Sequence, residues 1–75
     1  MDVIVAGDVV KMVLPEQVDS KNASAFEKEM FDALDENEGR EVLLDAKNMK
    51  YISSAGLRVL VKLRKRQGVE IPIIN

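Results

Sequence analysis

The sequence contains no cysteine, no histidine and no tryptophan. Without cysteine there is neither a disulfide nor a thiolate nucleophile. Without histidine, the commonest general base and the commonest metal ligand are both missing. No apolar run approaches the roughly 18 residues needed to cross a bilayer. The opening Met1-Asp2-Val3-Ile4 lacks the basic region of a secretory leader, so a cytoplasmic location is expected. Aromatic residues make up 4% of the chain, too few to build a base-stacking surface. Lys and Arg number 11 against 13 Asp and Glu, a formal charge of −2, which gives no nucleic-acid footprint. What is present is 47% hydrophobic and 32% charged residues, a globular composition. Seventy-five residues suffice for one small domain, and chains of this size bury only about 60% of their unfolded surface. The expected class is a single domain, residues 1–75, that binds a partner rather than catalyses.

Two β-branched runs near 2–6 and 9–14 flank Gly7-Asp8, the spacing of a tight hairpin whose first turn residue is glycine. Pro15 stops the second run, and Pro15 to Ser20 reads as a polar connection. From about Asn22 the period becomes helical. Ala23, Phe26, Met30, Ala33 and Leu34 form one stripe, and the helix is expected to end before Gly39. Ser24 and Glu27 have capping-box spacing, with Asp19, Ser20 and Asn22 as the other candidate caps. Asp35, Glu36 and Glu38 carry the wrong sign for the negative end of this helix. Glu41 to Asp45 reads as a strand covered on both faces. A connection from Ala46 to Ile52 should partly bury Met49 and Ile52.

A second helix opens at Ser53-Ser54-Ala55-Gly56, with Leu57, Leu60, Val61 and Leu63 as its expected apolar stripe and Gly68 as its close. Lys62, Arg64, Lys65 and Arg66 sit in its last turns, where cations complement the dipole. Val69 to Ile74 reads as a final strand, placed at a sheet edge by Pro72. The order β-β-α-β-α-β predicts an α/β fold, a mixed sheet with helices packed on it and parallel pairing through right-handed crossovers. The first helix is acidic and the second basic, so side-by-side packing should place ion pairs between them.

Little of this supports catalysis. Walker loops, G-x-S-x-G elbows and GxGxxG fingerprints are all missing, and Ser53 and Ser54 have no histidine to activate them. Asp8, Asp19 and Asp45 lie beside strands, but their spacing matches no metal loop, and no cofactor is expected. The best local signal is the start of the second helix. Its unpaired N–H groups and positive dipole end welcome an anion, and an exposed serine there is a good phosphoacceptor.

At these residues the chain resembles the STAS family, the sulfate transporter and anti-sigma factor antagonist domains. The resemblance lies in Val42-Leu43-Leu44-Asp45 followed by Asn48 to Leu57, in Leu14 to Asp19, and in the order of elements. It implies a bacterial anti-anti-sigma factor, a phosphoprotein of transcription regulation. Such a protein binds an anti-sigma factor that is also a serine kinase and so frees a sigma factor. Phosphorylation ends the interaction and a serine phosphatase restores it. Matched by position, the phosphoacceptor is Ser54, with Ser53 as rival. Asp19, Asp45, Ser53, Ser54, Gly56 and Leu57 form the implied partner-binding set.

The resemblance also raises an alternative, because many regulatory members carry Asp where this chain has Ser53. That alternative is a STAS module of a membrane transporter or lipid-transport complex that is never phosphorylated. Family domains usually continue past the strand ending near Asn75, so the domain is expected to be incomplete. It would then leave an open sheet edge, available for a homodimer.

Overall fold

The computed structural model describes all 75 residues, Met1–Asn75. Strand β1 (Asp2–Ala6) turns at Gly7-Asp8 into β2 (Val9–Val13), the two paired antiparallel with Ala6 opposite Val9. Gly7 has φ +60°, the conformation expected at the first position of such a turn. Next come β3 (Gln17–Val18), α1 (Ala23–Glu36), β4 (Glu41–Asp45), β5 (Tyr51–Ile52), α2 (Ser54–Gln67) and β6 (Ile73–Ile74).

The main sheet has the order β1-β2-β4-β6, with β2–β4 and β4–β6 parallel. Each parallel pair is bridged by one helix, as the alternation of elements requires. Both helices cover the same face. Val10, Met12, Val42 and Leu44 share one buried cluster with Phe26, Met30, Leu34, Val59 and Leu63. The strand residues between them point away, so Lys11 and Leu43 are only half-buried. The strand β4 is therefore central but covered by helices on one face, not two.

The α1 stripe is buried as its spacing predicts: Ala23, Phe26, Met30, Ala33 and Leu34. Its cap differs from the expected Ser24–Glu27 box, because Ser24 already lies inside the helix. Asp19 and Asn22 instead form a reciprocal pair one turn earlier. The Asp19 carboxylate accepts from the Lys21 and Asn22 amides, while the Asn22 side chain accepts from the Asp19 amide. The misplaced acid Asp35 finds a partner in Arg66 of α2, whose guanidinium also lies 5.2 Å from the Phe31 ring centroid. Lys62 reaches Glu27 at 2.9 Å, so the expected ion pairs between the helices form, each contributing about 0–1 kcal/mol.

Three further expectations are corrected. The final strand covers only Ile73–Ile74 rather than 69–74, although it does occupy an edge. Pro72 keeps a role there through its carbonyl, which accepts from the Leu44 amide. Two short strands, β3 and β5, interrupt stretches read as connections and pair parallel in a separate two-stranded ladder. Finally, α2 is rotated relative to the expected stripe. Gly56, Val59 and Leu63 are its buried residues, while Leu57 and Val61 are 51% and 52% exposed.

Candidate functional site

The second ladder builds the site. Val18 of β3 stands opposite Ile52 of β5, and the Ser53 amide donates to the Val18 carbonyl at 2.8 Å. The residues that follow each strand, Asp19 and Ser53, therefore leave the ladder side by side. One leads into α1 and the other caps α2, so the starts of both crossovers meet at this point.

Ser53 is the α2 N-cap. Its backbone is extended, with ψ 173°, and its hydroxyl accepts from the Gly56 amide at 3.3 Å. Ser54, the first helical residue, is exposed, and its hydroxyl is not used in capping. The first turn of α2 contains no acidic residue, so added negative charge there meets the positive end of the dipole unopposed within the helix. Removing the cap with Ser53→Ala is expected to cost about 1 kcal/mol. Ser54→Ala should change stability by no more than about 0.5 kcal/mol. Chemical denaturation of the two variants separates the capping serine from the free one.

Gly56 explains how α2 comes so close to the ladder. A Cβ placed there would lie 2.7 Å from Val18 Cγ1 and 2.7 Å from Ile52 Cγ1. The glycine is buried and inside the helix, where it costs roughly 1 kcal/mol relative to alanine. The close approach of helix to ladder accounts for its presence.

Of the sequence-derived set, Asp19, Ser53, Ser54 and Gly56 gather around the ladder, and Leu57 lies exposed one turn into α2. Asp45 is different. It is 2% exposed, and its carboxylate accepts from the Asn75 side chain and the Lys47 amide, both at 2.9 Å, with Lys11 Nζ 3.8 Å away. Its visible work is to fasten the end of β4 to the segment after β6. Asp8, Asp19 and Asp45 do not come together, and no group of three or more Asp, Glu, His or Cys side chains is placed to hold a metal ion. The feature missed in the sequence was the β3–β5 ladder. Asp19 and Asn22 were both among the candidate caps, Asn22 is the N-cap residue, and the i, i+3 spacing of the two signalled their mutual bonds.

The two organised aspartates have lowered pKa values. For Asp19 the main cause is the Gln17 side-chain hydrogen bond, followed by the Lys21 amide. For Asp45 it is the Asn75 side-chain hydrogen bond, followed by the Lys47 amide. A carboxylate whose pKa falls on folding adds stability that is fully present above its unfolded value, about 3.9. That stability is lost as pH drops through the lower folded value. The chain should therefore lose stability below about pH 4, and Asp45→Asn should make that acid limb shallower. Unfolding midpoints measured across this range check the sign.

Comparison with known proteins places this geometry in a family. The model of the STAS domain matches residues 1–74. No curated protein sequence matches the chain. Among solved structures, one titled "Crystal Structure Analysis of Mglu" superposes with a TM-score of 0.76 at 22% identity. That match covers 99% of this chain and 19% of the other, so this chain spans about a fifth of that protein's length and shares a fold with that part. STAS domains occur in anti-sigma factor antagonists and in transporters, and are generally non-catalytic. No helix here is long and apolar enough to cross a membrane. The four-stranded mixed sheet, the two crossover helices and the family match over residues 1–74 lead to one conclusion: the chain belongs to the STAS domain family.

Proposed function

We propose that this domain is an anti-sigma factor antagonist, and that phosphorylation of Ser54 ends its hold on an anti-sigma factor that is also a serine kinase. The observation that carries this reading is the division of labour between the two serines. Ser53 uses its hydroxyl to cap α2, while Ser54 presents an exposed hydroxyl at the same helix start. A phosphate there would add about −1.5 to −2 charges without removing a cap or entering the core. The fold would survive, and only the surface met by a partner would change. Asp19 leaves the neighbouring strand beside Ser53, so a phosphate would also enlarge the negative charge that this rim presents. Gly56 and Leu57 complete the rim, one by permitting close packing and the other by offering an exposed apolar contact.

A second reading is favoured by one residue. Ser53 stands where many regulatory members of the family have aspartate, which points toward an unphosphorylated module of a membrane transporter or lipid-transport complex. Affinity capture from host lysate in the presence of ATP separates the two. Under the first reading, wild type and Ser54→Ala retain a kinase-fold anti-sigma factor and Ser54→Asp loses it. Recovery of the same membrane transport proteins on all three baits would sink the regulatory mechanism and favour the second.

A further inference from the structure

The sheet rim at β6 has two properties that its short length conceals. The first is the direction of its backbone groups. The Leu44 amide donates to the Pro72 carbonyl and the Ala46 amide to the Ile74 carbonyl, so residues 72 and 74 turn inward to β4. Ile73, between them, turns its N–H and C=O outward, where the sheet has no further strand. The donor that Pro72 lacks is therefore missing from the inner side, and the proline leaves the outer rim open. The second property is a groove of about 430 Å³ beside this rim, lined by Leu44, Leu57, Leu60, Val61, Ile71 and Ile73. Ile73 shares its register with Leu44 and so faces the helix layer, yet it is 56% exposed. The two charged residues of the groove, Arg64 and Glu70, pair with each other at 2.5 Å. This border therefore carries no net charge, although the chain as a whole is −2.

We propose that this rim is the interface of a homodimer, with β6 pairing antiparallel to β6 of a second copy about a two-fold axis at Ile73. The inference does not depend on the Ser54 reading. Ile73 exchanges both of its outward hydrogen bonds with the partner's Ile73, which satisfies the free groups of each. On the other face of the sheet, Pro72 stands opposite the partner's Ile74 and Ile74 opposite the partner's Pro72. Apolar side chains thus meet apolar ones across the axis, and no like charges are opposed. An axis normal to the sheet keeps both helix layers on one side, so the two grooves adjoin and cover each other. One symmetry operation then closes the open rim and shields the apolar surface next to it. Two ladder residues and one groove fall short of the roughly 20–30 residues a side of a standard interface. Association is accordingly weak and follows concentration.

The test is sedimentation equilibrium of the full chain from micromolar to millimolar concentration. A mixture of isotope-labelled and unlabelled copies adds a readout of contacts between molecules. The expected result is a monomer–dimer equilibrium with intermolecular contacts at Ile73, Ile74 and Val61. Ile73→Pro removes the outward donor and spares both inward bonds, and it should weaken association at least several-fold. Val61→Lys, at a position 52% exposed in the groove wall, should act in the same direction. Ile4→Lys on the opposite rim should leave the dissociation constant unchanged. A thermal melt checks that each variant is folded, and if Ile73→Pro is not, Val61→Lys decides alone. Three results overturn the proposal: a monomer at every concentration, a dimer indifferent to Val61→Lys, or a dimer lost with Ile4→Lys. The last of these would place the interface at β1.

Discussion

Truncating Leu63 to alanine is expected to destabilise the domain by about 2–5 kcal/mol, whereas Leu57→Ala on the same helix should cost no more than about 0.5 kcal/mol. Leu63 is 0% exposed and packs into the shared cluster with Met12, Met30 and Leu44. Leu57 is 51% exposed on the flank of α2, at the rim of the groove it lines with Leu44 and Ile73. The contrast matters because a chain of this size has roughly 4–11 kcal/mol of total stability, by the usual per-residue scale. Losing Leu63 would remove a large share of it, partly as transfer free energy and partly as the cavity left behind. Denaturant midpoints with an unchanged slope are the measurement. Equal losses at the two positions would mean that α2 is rotated from the orientation described above.

The second large effect is expected at Gly56. In Gly56→Val the new Cβ would meet Val18 and Ile52 at distances that packed carbon atoms do not tolerate, with two further methyl groups beyond it. Overpacking of this kind costs typically about 1–3 kcal/mol and occasionally more. Valine brings only part of the helix-propensity gain that would offset the strain. Gly56→Ala should be milder, since a propensity gain of about 1 kcal/mol opposes the clash. Neither atom in the way is the end of a long flexible side chain, so relief requires α2 to lift from the ladder. Amide shifts at Ser53 and Ser54 should therefore move in both variants, in the order Val more than Ala. Unchanged shifts at the helix start would contradict the close approach assigned to Gly56.

The sequence made some elements plain and hid others for identifiable reasons. The α1 stripe was legible because five apolar residues, Ala23 to Leu34, keep one phase across about three turns. The hairpin was legible because Gly7-Asp8 punctuates two β-branched runs. The ion pairs between the helices followed from acidic and basic faces brought side by side. The orientation of α2 was not legible in the same way. Its inward face begins with Gly56, which adds no hydrophobic signal, while Leu57, Leu60 and Val61 offer a stronger apolar pattern on another face. The ladder of β3 and β5 was hidden because two residues cannot establish a period of two. That ladder is what brings Asp19 beside Ser53. Periodicity therefore did not show this juxtaposition, whereas the family resemblance of Leu14 to Asp19 already implied Asp19 as the acidic neighbour of the serine loop. Asp45 was nominated for the partner surface from the resemblance alone, and its burial and its bonds to the Lys47 amide and the Asn75 side chain had no signal in the sequence.

The strand β1 has a consequence for how the protein behaves in concentrated solution. Every residue of Asp2–Ala6 is exposed, and Val3, Ile4 and Val5 follow one another along the rim of the sheet. Natural edge strands are commonly defended by lysine, proline or a bulge, and this stretch has none of the three. The opposite rim has Pro72 beside it and only two ladder residues. Colloidal failure should then begin at one border and proceed by strand-on-strand growth from folded molecules. Shelf life would be set by the chemistry of five residues rather than by the melting temperature, and a single lysine at Ile4 would extend it without touching the core.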